Sequence, residues 1–379
     1  MNKIPVIYYH SIAPAKNPDW VRKFLTLETV FFEDQLKFLK RNGFTTVFMN
    51  DYVAHKKGQI SLPKNTACIT FDDGYVDNWI YAFPLLKKYG LRGTIFINPE
   101  FVDEKSGVRP TLEDYWNGKA SLEEINNWGY LTWEEMRLME QSGVIDIQSH
   151  TLTHTKYFVS DKITGFHHPG SDCLYPLGNM QPERKPYYIE DADFEKIAPY
   201  GYPFFEEKSA IIARKVTINP DFINETVDRL RNYDWGKVYD KNEILNLVSE
   251  FYQNAKEHNK IISGIETEDE YQDRVRQELR LSKKILEEKL DKSITICCWP
   301  HGDYNDFSVS TAREEGYTAS TIVVKPGLVS PPDRFERIGL YHVRNSKLLT
   351  SLKTIYKIRS FQERFPYKNL RNIYYRLKY

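Results

Sequence analysis

Cysteine is scarce in this chain: four residues in 379, two of them adjacent at Cys297 and Cys298. So few thiols exclude a disulfide framework and the paired spacing of a zinc knuckle. Long apolar runs are missing too, none approaching the ~20 residues of a bilayer-spanning helix. The opening Met1–His10 has one lysine, no apolar core of signal-peptide length and no small-residue cleavage site, so it does not read as a secretory leader. A cytoplasmic protein is expected. Net charge is also absent, with 52 Lys+Arg against 52 Asp+Glu, which excludes a chain-wide attraction to nucleic acid. Aromatics are plentiful, at 14% with 26 Tyr. Tyrosine joins an apolar ring to a polar tip and suits a partly apolar, heavily hydroxylated ligand.

Short runs rich in Val, Ile, Thr and aromatics alternate with helix-period segments, the rhythm of a parallel α/β fold. Strands are predicted at Pro5–Tyr9, Thr45–Phe48, Thr66–Phe71, Thr94–Asn98, Val144–Ser149, Ser293–Trp299, Thr318–Val324 and Arg337–Tyr341. Helices are predicted over Phe31–Asn42 (stopped by Gly43), Asp77–Tyr89 (stopped by Gly90) and from Thr132, where Glu135 completes a capping box. The rhythm breaks after His154 and resumes at Glu268, where Tyr271, Val275, Leu279, Leu286 and Leu290 mark one face of a long helix. The stretch between is too long for a loop and reads as an inserted subdomain or lid. The expected organisation is 1–155 and 268–350 as two parts of one barrel, 156–267 as the insertion and 351–379 as a tail. That tail carries eight Lys/Arg against one acid, Glu363, interleaved with seven Tyr/Phe. It reads either as a helix closing the barrel by its aromatic face or as a peripheral membrane contact.

Two places carry chemistry. Ala67–Phe71 is a buried-strand pattern ending in Asp72-Asp73-Gly74, and strand C-termini are where α/β barrels gather catalytic groups. Adjacent acids there point in different directions, so one can hold a metal while the other takes a proton. A second strand ends in His150-Thr151-Leu152-Thr153-His154, whose imidazoles on a helical turn share one face. Two His and one Asp leave an open position on a divalent ion, as catalytic zinc sites require.

Thr70–Gly74 followed by His150–His154 resembles the first two motifs of the polysaccharide deacetylases, the carbohydrate esterase family that includes chitin and peptidoglycan deacetylases. Val6–Ile12 and Trp299-Pro300-His301-Gly302-Asp303-Tyr304-Asn305 resemble further landmarks of its exopolysaccharide branch. The resemblance implies a distorted (β/α) barrel of seven or eight strands with a large insertion. It implies that Asp73, His150 and His154 hold the metal and that Asp72 is the general base. The backbone N–H at His301 would help bind the oxyanion, and the general acid would be His342, in Leu340-Tyr341-His342, or His301. His10, Trp299, Pro300 and Tyr304 are expected near the substrate. Many relatives carry an arginine that orients the base shortly before the Pro of the third motif; here Cys297-Cys298-Trp299 stand in its place, and Asp333 is the candidate remnant of a fourth motif.

The expected activity is removal of an N-acetyl group from an amino sugar of a polysaccharide, oligosaccharide or lipid-linked glycan precursor in cell-surface glycan biosynthesis, at the inner face of the membrane. The expected cofactor is zinc, with cobalt, nickel or manganese as alternatives. Two other readings stand beside it: hydrolysis of a non-sugar amide such as a cyclic ureide or imide, and a glycan-binding relative that has lost catalysis. Cys68 is expected in the core, and His167-His168 as an exposed loop pair.

Overall fold

The computed structural model describes residues 3–15, 22–126, 128–323, 331–341 and 346–371. Seven parallel strands form a closed ring: β1 (Val6–Tyr9), β2 (Thr66–Phe71), β3 (Gly93–Ile97), β4 (Ile145–Ser149), β5 (Ile296–Cys297), β6 (Ala319–Val323) and β7 (Arg334–Gly339). Neighbours in the ring are neighbours in sequence, and β1 closes it by pairing with both β2 and β7. The expected distorted barrel is therefore present. The predicted strand Thr45–Phe48 shrinks to Thr45–Thr46, which pairs only with β2 and stays outside the ring.

Side-chain alternation divides the barrel into two cores. Val6, Cys68, Phe96, Ile296, Cys298, Ala319 and Phe335 pack together inside, where Met49 and Val53 join them. The helix that carries those two, Met49–Lys56, plugs the N-terminal end of the barrel, with the Met49 N–H donating to Thr94 Oγ1 at 3.1 Å. The intervening residues, Ile7, Ile69, Phe71, Ile95, Ile145 and Ile147, face the helical layer. With one end plugged, only the C-terminal end of the strands is left to form a mouth.

The helices follow the sequence pattern with small shifts. Phe31, Phe32, Leu36 and Leu39 are the buried stripe of α1 (Thr29–Arg41). The Thr132–Glu135 capping box opens α2 (Trp133–Gln141). The long helix α3 (Glu268–Leu290) buries Tyr271, Val275, Leu279, Leu286 and Leu290. The expected helix Asp77–Tyr89 is one wide turn, Asn78–Ala82, followed by Phe83–Tyr89; Pro84, which has no N–H to donate, explains the break. Strand β5 is shorter than Ser293–Trp299 because the N–H groups of Thr295 and Ile296 donate to the Gln148 side chain. Strand β7 begins three residues earlier than Arg337, so that Phe335 and Arg337 both point inward.

Residues after His154 form an antiparallel hairpin, Lys156–Phe166 with Pro203–Ser209, over a separate apolar cluster of Ile163, Phe166, Phe205, Phe222, Ile244 and Val248. Arg274 of α3 ties it to the barrel, donating at 2.7 Å to the carbonyls of Ala210 and Ala213. The basic segment begins as a helix, α4 (Lys347–Phe361), that buries Thr354, Ile358 and Phe361. No described helix is long and apolar enough to cross a membrane.

Candidate active site

The mouth of the barrel opens into a cavity of about 770 Å³ lined by His10, Asp72, Asp73, His150, His154, Trp299, His301 and Arg337, among others. Asp72 and Asp73 follow β2 directly. Asp73 has φ +73° and Gly74 has φ +72°, and this left-handed pair turns the chain so that the two carboxylates part company. A Cβ on Gly74 would stand 2.7 Å from Ile97 Cδ1, so the turn requires glycine for space as well as for φ. Thr151, His154 and His301 also have positive φ. Backbone strain is thus gathered around the mouth, a distribution associated with functional sites.

Asp73 Oδ1 lies 3.3 Å from His150 Nε2 and 3.2 Å from His154 Nε2. It is buried and lacks a hydrogen-bond partner among the described residues. The three ligand atoms lie within 4.8 Å of one another, so the set fits a divalent ion, an orphaned carboxylate oxygen facing two imidazoles. His150 Nδ1 contacts the Cys298 carbonyl at 2.8 Å; a carbonyl only accepts, so Nδ1 carries the proton and Nε2 presents its lone pair to the site. His154 Nδ1 meets the Tyr175 hydroxyl at 3.2 Å, and Arg22 Nη1 donates to that hydroxyl at 3.1 Å. Arg22 is held in turn by both oxygens of Asp172, at 2.9 Å each. Burial pushes His154 down to about 3, so its ring is neutral, as a ligand must be. A second group, Asp72, His150 and Cys298, is equally close, but both Asp72 oxygens are already engaged.

They are engaged by Arg337. Its Nη1 donates to Asp72 Oδ1 at 2.6 Å and its Nη2 to Oδ2 at 2.8 Å, the planar two-point grip that guanidinium provides. The Arg337 guanidinium also sits over the Tyr8 ring, 5.0 Å from its centroid. Burial alone would raise the Asp72 carboxyl, but Arg337, with His150 and His10 beside it, outweighs burial and holds Asp72 below the ordinary aspartate value. Where the sequence shows no arginine before Pro300, another strand thus supplies one to Asp72. The inward register of β7 is the signal that could have found it.

Two further side chains absent from the sequence reading fix the histidine turn. Glu278 of α3 accepts from the N–H groups of Leu152 and Thr153 at 3.1 Å and from the Thr153 hydroxyl. Asn98, after β3, donates to the carbonyl of His150 and, at 3.3 Å, to that of Thr151.

The remaining expected residues divide. His10 is at the mouth, with Nε2 3.8 Å from Asp72 Oδ2 and Nδ1 3.1 Å from the Tyr341 hydroxyl. Trp299 lines the cavity, and its buried Nε1 has no partner among the described residues. His301 stands exposed at the rim, its ring centroid 4.7 Å from that of His154; its crowded position and the His154 ring hold it well below the ordinary histidine range. Pro300 and Tyr304 do not line the cavity. Pro300 is buried, and Tyr304 packs beside Trp299, because the turn at His301 swings the chain back onto the barrel. His342 lies outside the described residues. Asp333 pairs with Arg313 at 2.7 Å at the N-terminal end of β7, the far end from the mouth, and is no part of the site. His167 is buried rather than exposed, with Nδ1 2.9 Å from Ser171 Oγ and Nε2 2.8 Å from the Glu195 carbonyl. Cys68 is in the interior core, as expected.

Residues 59–193 match the family model described as polysaccharide deacetylase. The YxkH protein of Bacillus subtilis, a polysaccharide deacetylase by name, is 31% identical over 152 residues, 40% of this chain and 43% of that one. The poly-beta-1,6-N-acetyl-D-glucosamine N-deacetylase of Escherichia coli K12 is 22% identical over 179 residues, 47% of this chain and 24% of its own. The matches thus span less than half the length of these curated relatives. Among solved structures, a de-N-acetylase from Aggregatibacter actinomycetemcomitans superimposes with a TM-score of 0.54 at 19% identity, covering 94% of this chain and 99% of the other. The BpsB deacetylase domain from Bordetella bronchiseptica gives 0.52 at 17%, covering 89% and 97%. The family model spans both the Asp72-Asp73 and the His150–His154 segments, so over residues 59–193 this chain is similar to the polysaccharide deacetylases, and it shares the barrel fold of the solved de-N-acetylase.

Proposed function

We propose that the protein hydrolyses the N-acetyl group of an amino sugar within a glycan, in a metal-dependent reaction. The observation that carries this is the division of labour between adjacent carboxylates: Asp73 faces the two imidazoles at 3.2–3.3 Å while Asp72 is gripped by Arg337. Asp73, His150 and His154 would hold a divalent ion, with zinc the best match to a His/His/Asp set. Such an ion supplies Lewis acidity to the amide carbonyl and to water. Asp72 takes the proton of the attacking water, and Arg337 keeps it ionised for that task. The oxyanion is met by donors already in place, and the backbone N–H at His301 is assigned that role by its position in the third motif. The leaving amine needs a proton from an imidazole at the mouth. Of the two described there, His301 is seldom protonated because its proton affinity is depressed, which makes His10 the preferred assignment; His342 remains in the proposal on its sequence position.

The finer parts of the proposal concern substrate and place. The cavity is broad, with Tyr8, Tyr175 and Trp299 in its wall, and suits sugar rings better than a small cyclic imide. The named substrates of the Escherichia coli relative favour an N-acetylglucosamine polymer. A lipid-linked precursor and a peripheral membrane contact are supported by the excess of basic residues after position 350. Acetate release from N-acetylglucosamine oligomers by the zinc-loaded full chain, lost in Asp72→Asn, is the expected result. Zinc binding with no acetate from any N-acetylated oligomer would favour the silent glycan binder instead.

A further inference from the structure

The cavity at the carboxylate pair does not end there. It continues past Gly339, at the mouth end of β7, to a wall where Lys353, Tyr356, Lys357 and Phe361 of α4 line it together with Arg371. Lys357 Nζ donates to the Gly339 carbonyl at 2.5 Å, so this arm begins two residues from Arg337 on the same strand. Among the described residues no carboxylate lines it. The described acids of the cavity are Asp72, Asp73 and Asp172, and Asp72 and Asp172 are bound to arginines.

Lys353 and Lys357 are four places apart and share one face of α4, a spacing at which like charges repel. Both are half-buried, and neither forms an ion pair with a carboxylate among the described residues. Burial and the neighbouring Lys353 charge pull Lys357 below the ordinary lysine value. The chain from Arg337 onward offers little to neutralise them. From Arg337 to Tyr379 it holds eleven Lys/Arg and one acid, Glu363, which is taken by Lys368 and Lys3. Segments 324–330, 342–345 and 372–379 contain no acid, and segment 16–21 contains one, Asp19. A cationic recess with low-dielectric walls concentrates anions, and a bound anion would offset both the repulsion and the desolvation of the two ammonium groups.

We propose that this arm binds an anionic substituent, phosphate or carboxylate, of the glycan whose N-acetyl group reaches Asp72, so that the protein prefers acidic glycans to neutral ones. The inference rests on the deacetylase reading for the identity of the glycan, and on the arm alone for the anion.

The test is calorimetric binding to the zinc-loaded full chain at about 0.1 M salt, where charges are screened beyond ~10 Å. The probes are neutral tetra-N-acetylchitotetraose, the same tetrasaccharide bearing a 1-phosphate, and a hyaluronan tetrasaccharide carrying glucuronate. At least one anionic probe should bind about tenfold tighter than the neutral one, the scale of a single charge-assisted hydrogen bond; which one does so identifies the anion. The double variant Lys353→Gln/Lys357→Gln should erase that advantage, whereas Lys64→Gln, on an exposed loop, should keep it. Should the double variant fail to fold, Lys353→Gln alone should cut the advantage at least threefold. Equal affinities for all three probes, or an advantage untouched by the lysine changes, overturn the proposal. So does binding to phosphatidylglycerol vesicles that the lysine changes abolish while the three glycan affinities stay equal, because the arm would then be a membrane contact. Acetate release without anion preference ends this inference and leaves the deacetylase reading standing; anion preference without acetate release from any probe does the reverse.

Discussion

Replacing Arg337 by leucine would strip Asp72 of its counter-charge inside a nearly closed barrel. Asp72 is 3% exposed and receives two guanidinium hydrogen bonds, at 2.6 and 2.8 Å. Removing one partner of a buried pair typically costs about 3–5 kcal/mol. The sign depends on pH. In the native protein the Asp72 carboxyl lies below its ordinary value, so its contribution to stability is present above the unfolded value near ~3.9 and fades as pH falls through the folded one. In Arg337→Leu the carboxyl is buried without compensation and its folded value rises above the unfolded one, so the variant loses stability as pH rises. The gap between the two proteins should therefore narrow as pH falls through the folded value of Asp72 and grow to about 3–5 kcal/mol at neutral pH. Activity should follow: a loss of about 3 kcal/mol of charge stabilisation moves the base upward by about two units, carrying the acid limb of kcat with it. Urea unfolding at acid and neutral pH, together with acetate release across pH and metal content at each point, measures all of this. Arg337→Lys should recover part of the limb shift. Wild-type activity with an unmoved acid limb in Arg337→Leu would refute the role given to the arginine.

Asp72→Asn should lower acetate release by about 10²–10⁴-fold, the usual worth of a general base, with metal retained, whereas His150→Ala should lose both; metal content beside initial rates separates them. Tyr175→Phe removes the hydroxyl on His154 Nδ1 and should weaken zinc binding by about 10–100-fold, read by competition with a chromophoric chelator; unchanged affinity would dismiss the Tyr175–Arg22–Asp172 support. His10→Gln should depress kcat more than His301→Ala does, and the opposite order would move the general acid to the rim. Truncation after residue 350 removes Ile358 and Phe361 from the core and should lower the thermal midpoint markedly; a truncated chain as stable as the whole would contradict the packing of α4.

The carboxylate pair and the histidine pair were legible because each follows a strongly apolar strand, and each motif is local in sequence. Arg337 was not, because its partner stands 265 positions away and only the inward register of β7 joins them. Its placement three residues into a strand that begins at Arg334 is invisible when the strand is drawn from Arg337 onward. Glu278 was hidden differently: on a long charged helix it looks like a solvent-facing residue, and only the docking of α3 reveals it as the acceptor for the Thr153 turn. Tyr304 erred in the other direction, since an aromatic in a recognised motif looks like a sugar platform until the turn at His301 folds it back onto the barrel. A break in rhythm after His154 was legible, but the delivery of Tyr175 to His154 depends on tertiary docking that no local pattern encodes.

The closure of the ring by β7 against β1 bears on biosynthesis. A ribosome delivers Asp72, Asp73 and both histidines well before Arg337, and domains fold as chain becomes available. Until the last strand emerges, the nascent barrel has an open seam and an unneutralised carboxylate beside it. The strand that seals the seam is the one that brings the guanidinium, so completion of the wall and neutralisation of Asp72 are a single event, and a chain released early lacks both.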